Sequence, residues 1–181
     1  MKEFLNTWIK RTYPEVRFKC IPHEGKIDLL KSIPRKLKAW REPGVHFIVI
    51  IDNDNRDCKE LKAELLELCR NSGRDNTLVR IACQELEAWY LGDPEALAIA
   101  FSNNKLRHLS RKAPFRIPDK IHNPSKQIER LVPGFQKISG ARAIASHIDR
   151  VRNSSMSFSI FANSIDQISS SFQNPNPDGF V

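Results

Sequence analysis

Two short apolar runs in this 181-residue chain each end in carboxylates, and carboxylates so placed can hold a cation. Phe47–Ile51 is followed by Asp52, Asp54 and Asp57, and Thr77–Cys83 is followed by Glu85 and Glu87. Asp52 and Asp54, two apart at a strand end, can turn their carboxylates to one side of a sheet edge. Held together they repel unless a cation lies between them, and hard oxygen ligands suit Mg2+ or Mn2+. If the two runs are neighbouring strands, Glu85 joins Asp52 and Asp54, enough for one or two ions and a phosphate substrate. A plainer reading stays open. Asp52 then caps a turn, Asp54 and Asp57 start the next helix, and Glu87 is a surface residue.

A phosphate also needs cations. Gly25-Lys26 opens a helix, and a helix N-terminus with a lysine can cradle an anion. It is not a Walker A loop, because Cys20 stands where the first glycine is needed and Ile27 where Ser/Thr should follow. Residues 103–152 hold 12 Lys/Arg against Asp119, Glu129 and Asp149, whereas the remainder holds 17 Lys/Arg against 18 Asp/Glu. The net charge of +8 therefore belongs to one segment. A concentrated field of that kind favours polyanions, with Arg111, Lys112 and Arg116 as candidate phosphate contacts. A solvated basic face without a partner is the bland alternative.

Other chemistries fit poorly. An EF-hand needs Gly at Asp57 and Glu at Ala63. A haloacid-dehalogenase-type phosphatase also places Asp-x-Asp after an apolar strand, but it continues with Thr where this chain has Arg56. Cysteines 20, 58, 69 and 83 form no Cys-x-x-Cys pair, which argues against zinc and for reduced thiols. The charged start lacks a signal peptide's apolar stretch, and no run approaches the roughly 20 apolar residues of a membrane span. A cytoplasmic protein is expected.

The elements that must position these residues follow from periodicity. The spacing predicts helices over Lys2–Arg11, Lys26–Trp40 (with Pro34 kinking or shortening it) and Asp57–Arg70, where Asp57 or Asn55 caps the start. Val16–Ile21 alternates as a half-exposed strand does, while the unbroken run Phe47–Ile51 suits a strand buried on both faces. Thr77–Cys83 is a further strand. Gln84–Tyr90 reads as helix, and Asp93 and Pro94 cap and open another. Strand alternates with helix, the pattern of a parallel α/β sheet. Asn103–Ser125 reads as irregular chain with short turns, then Lys126–Val132, Ser139–Val151 and Ser157–Ile168 as helices. The expected organisation is an α/β core over 1–101, a basic, mainly helical extension over 102–168 packed on it, and a flexible tail over 169–181.

Several blocks resemble the DUF4276 family: His23-Glu-Gly-Lys-x-Asp-Leu, Ile33-Pro-x-x-Leu, Ile50-Ile-Asp-x-Asp-x-x-Asp-Cys, Arg80-Ile-Ala-x-x-Glu-Leu-Glu-Ala-Trp-Tyr-x-Gly-Asp and Asn153-Ser-x-x-Ser-Phe. The similarity runs to about Phe161. It implies a TOPRIM-like domain, a parallel sheet with helices on both faces in which Asp52 and Asp54 hold Mg2+. It also implies a place in prokaryotic defence or mobile-element loci, beside AAA/ABC-type ATPases. TOPRIM-like domains begin with a strand ending in a glutamate, and this chain starts inside the helix that follows such a strand in its relatives. The expectation is a reading frame that extends roughly 10 residues upstream, about one strand and a turn.

Together these readings lead to a Mg2+- or Mn2+-dependent phosphodiesterase acting on DNA or RNA. Asp52, Asp54 and Glu85 would be both catalytic and metal-binding, and Lys26 and the basic segment would hold phosphates. The alternatives are a non-catalytic subunit that binds nucleic acid or an ATPase, and a dehalogenase-type phosphatase. A homodimer and the ATPase are the protein partners expected.

Overall fold

Ile48–Asp52 (β1) and Leu78–Ala82 (β2) pair in parallel, with Ile48 opposite Leu78 and Asp52 opposite Ala82. The two apolar runs are thus neighbouring strands, and their carboxyl ends lie side by side. The computed structural model describes residues 1–173, and among them the sheet has these two strands. Helix α3 (Cys58–Arg70) makes the crossover between them. Of the two expected caps, Asp57 is the one used: its carboxylate accepts the amides of Lys59 and Glu60 at 2.8 and 2.9 Å.

Both faces of β1 are covered, which is why its sequence is apolar without alternation. Val49, Ile51 and Val79 pack with Leu61 and Leu65 of α3 and with Ile33 and Leu37 of α2 (Lys26–Ala39). On the other face, Ile48 and Ile50 pack against a larger cluster that holds Ala82, Phe4 and Trp8 of α1 (Lys2–Thr12), and Phe158 and Phe161 of a C-terminal helix. Trp89 stacks on Phe161 with ring centroids 5.2 Å apart. Aromatic pairs of this kind add about 0.5–1.5 kcal/mol each beyond the area they bury.

The chain after β2 runs through α4 (Glu87–Leu91) and α5 (Pro94–Ala100). Three 3-10 turns follow, over residues 104–111, 113–115 and 118–120, in the segment expected to be irregular. Helices α6 (Pro124–Leu131), α7 (Lys137–Ala145) and α8 (Met156–Gln173) complete it. Asp93 is fully buried at the start of α5 and accepts from Ala96 N at 3.1 Å, Asp149 N at 2.9 Å and both forks of Arg152 at 2.7 and 2.8 Å. Asn153 Nδ2 donates to Trp89 O at 2.8 Å, and Ser154 N to Gly92 O at 2.8 Å. A Cβ on Gly92 would lie 2.2 Å from Asn153 Oδ1, so this approach requires glycine. The Trp-Tyr-x-Gly-Asp and Asn-Ser-x-x-Ser-Phe blocks therefore lock two distant stretches of chain together.

Four expectations need correction. Val16–Ile21 keeps the alternating burial of a strand, Val16, Phe18 and Cys20 half-buried between exposed neighbours, but it forms no ladder. A cavity separates it from β1, so its backbone has no strand to bond. Helix α2 is not shortened at Pro34 and runs on to Ala39, with Ile33 and Leu37 on either side buried in the core. Helix α7 stops at Ala145 instead of reaching Val151, and Asp149 turns the chain by accepting the amides of Val151 and Arg152. The helix expected from Gln84 begins at Glu87, after Gln84 adopts a left-handed φ of 65°. In the segment expected to be a tail, residues 169–173 belong to α8, and 174–181 lie outside the described residues. No helix among the described residues is long and apolar enough to cross a membrane.

Candidate acidic site at the strand ends

Asp52 is the last residue of β1, and its side chain points to the face that carries Ile48, Ile50 and Ala82. That direction follows from the two-residue period of a strand. Its Oδ1 is buried without a hydrogen-bond partner. Burial, then the charges of Glu87, Asp54 and Glu85, push its carboxyl from the ordinary 3.8 up to about 7, against the opposing pull of the Met1 amine. Glu87 is raised as well, first by burial and then by Glu85, while Lys137 and the Met1 amine pull it down. Asp54 and Glu85, singled out with Asp52 from spacing, thus both act on the Asp52 carboxyl.

Asn53, between the two aspartates, builds the turn. Its backbone amide donates to Ala82 O at 3.3 Å, its side chain donates to Arg56 O at 2.6 Å, and its Oδ1 accepts the amide of Gln84. Asp54 N donates to Gln84 O at 3.3 Å. The loops after β1 and β2 are therefore stitched together, with Asp54, Asn55 and Gln84 all in left-handed backbone conformations. Residues held so are strained and persist only where the surroundings fix them.

Glu85 differs from the expectation in one respect. Its Oε2 accepts the amide of Ser125 at 2.7 Å, in the first turn of α6. One of its oxygens is thus committed to joining the second half of the chain to the acidic edge. Glu87, for which a surface position was the plainer alternative, is half-buried and acts most strongly of all charged groups on Asp52. The tertiary fold is what decides between the two readings. Tyr90, fully buried, lies in the field of Glu87 and Asp52, and its hydroxyl is pushed well above its ordinary range by burial.

The expected phosphate contacts are less concentrated. Lys26 sits at the first position of α2 after Gly25, whose φ is 87°, and lines the same cavity as Asp52. Its charge is felt by Glu64 of α3. Nearby, Asp28 accepts from Glu24 N and from His23, each at 3.1 Å, so the His-Glu-Gly-Lys-x-Asp block shapes the entry to α2. Arg111, at the end of the first 3-10 turn, and Lys112 and Arg116, which flank the second, are exposed. Four other basic residues of this segment, Arg107, Arg142, Arg150 and Arg152, are spent in ion pairs with Glu95, Glu3, Asp166 and Asp93.

All-oxygen donors and an orphaned buried carboxylate oxygen suit a hard divalent cation. Even so, no three His, Cys, Asp or Glu side chains among the described residues converge closely enough to hold a metal ion. The donor chemistry fits, and the ligand set is not closed by these side chains as they stand.

A family model described as a domain of unknown function, DUF4276, matches residues 1–166. The chain belongs to the DUF4276 family. Comparisons with curated proteins and with solved structures returned no match. The DUF4276 match spans both strands, the acidic edge and the interlocked Gly92-Asp93 and Asn153-Ser154 stretches.

Proposed function

We propose that this DUF4276 chain is a divalent-cation-dependent phosphodiesterase of TOPRIM-like type that acts on nucleic acid. The observation that carries the reading is the orphaned, charge-crowded carboxylate of Asp52 at the carboxyl end of a parallel strand. Ligands of open parallel sheets bind at such ends. A carboxyl whose proton is held up to about pH 7 by burial first, and then by neighbouring carboxylates, ionises readily once a cation enters, and Asp54, Glu87 and Glu85 carry further oxygens whose charges act on it. When bound, Mg2+ or Mn2+ would neutralise the carboxylates and the phosphate they face. The chain's own part is to fix Asp52 and Asp54 through the Asn53 clamp and to bury one side of the site. It also presents Arg111, Lys112 and Arg116 to a polyanion. An ATPase partner and a place in a defence or mobile-element locus belong to the same proposal, on the family resemblance alone.

The test is incubation of the protein with DNA and with RNA in Mg2+ or Mn2+, beside Asp52→Ala and Asp54→Ala. Metal-dependent cleavage that both substitutions abolish is expected. Cleavage that survives both overturns the reading. A second reading, a nucleic-acid-binding regulatory subunit, is favoured by the commitment of Glu85 to Ser125 N. It predicts salt-sensitive binding with no cleavage in any metal.

A further inference from the structure

Cys58 and Cys83 bring their sulfur atoms within 3.6 Å of each other from positions 25 apart in the chain. Cys58 is the first residue of α3, directly after Asp57, whose carboxylate caps that helix. Cys83 directly follows β2, and its backbone is held on both sides. Its amide donates to Ser157 Oγ at 3.4 Å, and its carbonyl accepts Glu85 N at 3.0 Å. Neither thiol is sealed in the core. Both are half-buried, whereas Cys69 is fully buried between α3 and the sheet, and Cys20 lines the cavity beside β1. Among the described residues no third His, Cys, Asp or Glu joins the pair closely enough to hold a metal ion. The chemistry left to the pair is that of two thiols.

A disulfide holds its sulfurs about 2.05 Å apart, so this pair must close by about 1.5 Å, less than ~1 Å of movement for each atom. A χ1 rotation of about 30° moves a sulfur by that much. The link would also fall on a seam that the fold already closes by weaker means. Asp54 N donates to Gln84 O at 3.3 Å, and Asn53 Oδ1 accepts the amide of Gln84. Gln84 is the residue next to Cys83. A bond between the two sulfurs would add a covalent tie to the hydrogen bonds that join the loops after β1 and β2.

We propose that Cys58 and Cys83 are a redox-active dithiol, which a hydroperoxide converts to a disulfide that ties the start of α3 to the end of β2. With hydrogen peroxide, one sulfur attacks an oxygen: the O–O bond breaks, an S–O bond forms, and water leaves with the thiol proton. The other sulfur then attacks this sulfenic acid: the S–S bond forms, the S–O bond breaks, and a second water leaves with the second thiol proton. The pair gives up two electrons and the peroxide takes them. A dithiol reductant returns both thiols by exchange. The site is independent of the reaction assigned to the acidic edge, and its test does not use activity.

The test treats the reduced full chain with a small excess of hydrogen peroxide, alkylates the thiols left free, and maps the peptides by mass spectrometry. Two of the four thiols should be lost. One linked pair of peptides should hold Cys58 and Cys83, about 2 Da lighter than their sum for the two hydrogens removed. Dithiothreitol should restore both thiols, and Cys58→Ser and Cys83→Ser should each abolish the link. The link should form about tenfold or more faster in the folded chain than in urea, because the fold holds the sulfurs together. Four thiols still free after treatment overturn the proposal. So do links through Cys20 or Cys69, disulfides formed only between chains, separate oxidation of Cys58 and Cys83 to sulfinic acids, or equal rates in the folded and unfolded chain.

Discussion

Replacing Asp52 by Asn removes a charge that the fold resists and leaves the side chain's size unchanged. In the folded chain the Asp52 carboxyl is pushed from 3.8 to about 7 by burial, Glu87, Asp54 and Glu85. Each pH unit between those values is worth about 1.4 kcal/mol of stability. Ionising Asp52 in the native state thus costs on the order of 4 kcal/mol, or nearer ~2–3 kcal/mol once partial solvent access is allowed for. The native state holds this proton more tightly than the unfolded state, so stability falls as pH rises from about 4 to about 7 and is level beyond. Asp52→Asn escapes that fall. In urea titrations without divalent ions, the substituted chain should gain ~2–4 kcal/mol relative to the wild type between pH 4 and pH 8. Any pH-independent cost of burying the amide shifts both ends equally and leaves the slope intact. A difference that stays flat across this window, or a wild type that gains on the variant with rising pH, refutes the reasoning.

The same physics predicts that millimolar Mg2+ at pH 8 raises the unfolding midpoint of the wild type and leaves that of Asp52→Asn unmoved, as thermal denaturation can show. Asn53→Ala, which frees the Gln84 amide and the Arg56 carbonyl, should cost about 1–3 kcal/mol in urea unfolding. Asp93 is buried and holds Arg152 bidentately. Arg152→Ala should therefore destabilise by about 3–5 kcal/mol on the same measurement, because it strands a buried carboxylate. Replacing Arg111, Lys112 and Arg116 together by Ala should lower the salt dependence of nucleic-acid binding by about one unit of log-log slope for each phosphate no longer neutralised. Filter binding from 50 to 300 mM salt would measure it.

The helices and the two strands were legible because each carries its own signal. The unbroken apolar run before Asp52 marks a strand covered on both faces, and Asp57 and Asp93 mark the helix starts they cap. That Asp54 and Glu85 act on Asp52 could also be reached from the sequence, since it needed only that two adjacent strands be parallel. What stayed hidden depends on long-range partners. Glu87 looks like an exposed helical glutamate until α4 is folded beneath the strand ends. The Ser125 amide that occupies Glu85 comes from 40 residues away. Val16–Ile21 shows the right period for a strand, but a ladder needs a neighbour as well as a period, and the space beside it is a cavity. The basic segment was readable as a total and not as a surface, because four of its arginines are paired in the fold.

The central claim is that the strand-end carboxylates form a divalent-cation site, and the most direct measurement is a Mn2+ titration followed by electron paramagnetic resonance at pH 7.5. The account predicts saturable loss of the free Mn2+ signal with the wild type, competition by Mg2+, and at least tenfold weaker binding by Asp52→Asn and by Asp54→Ala. Binding that is equal in all three proteins, or no binding by the wild type, would contradict it.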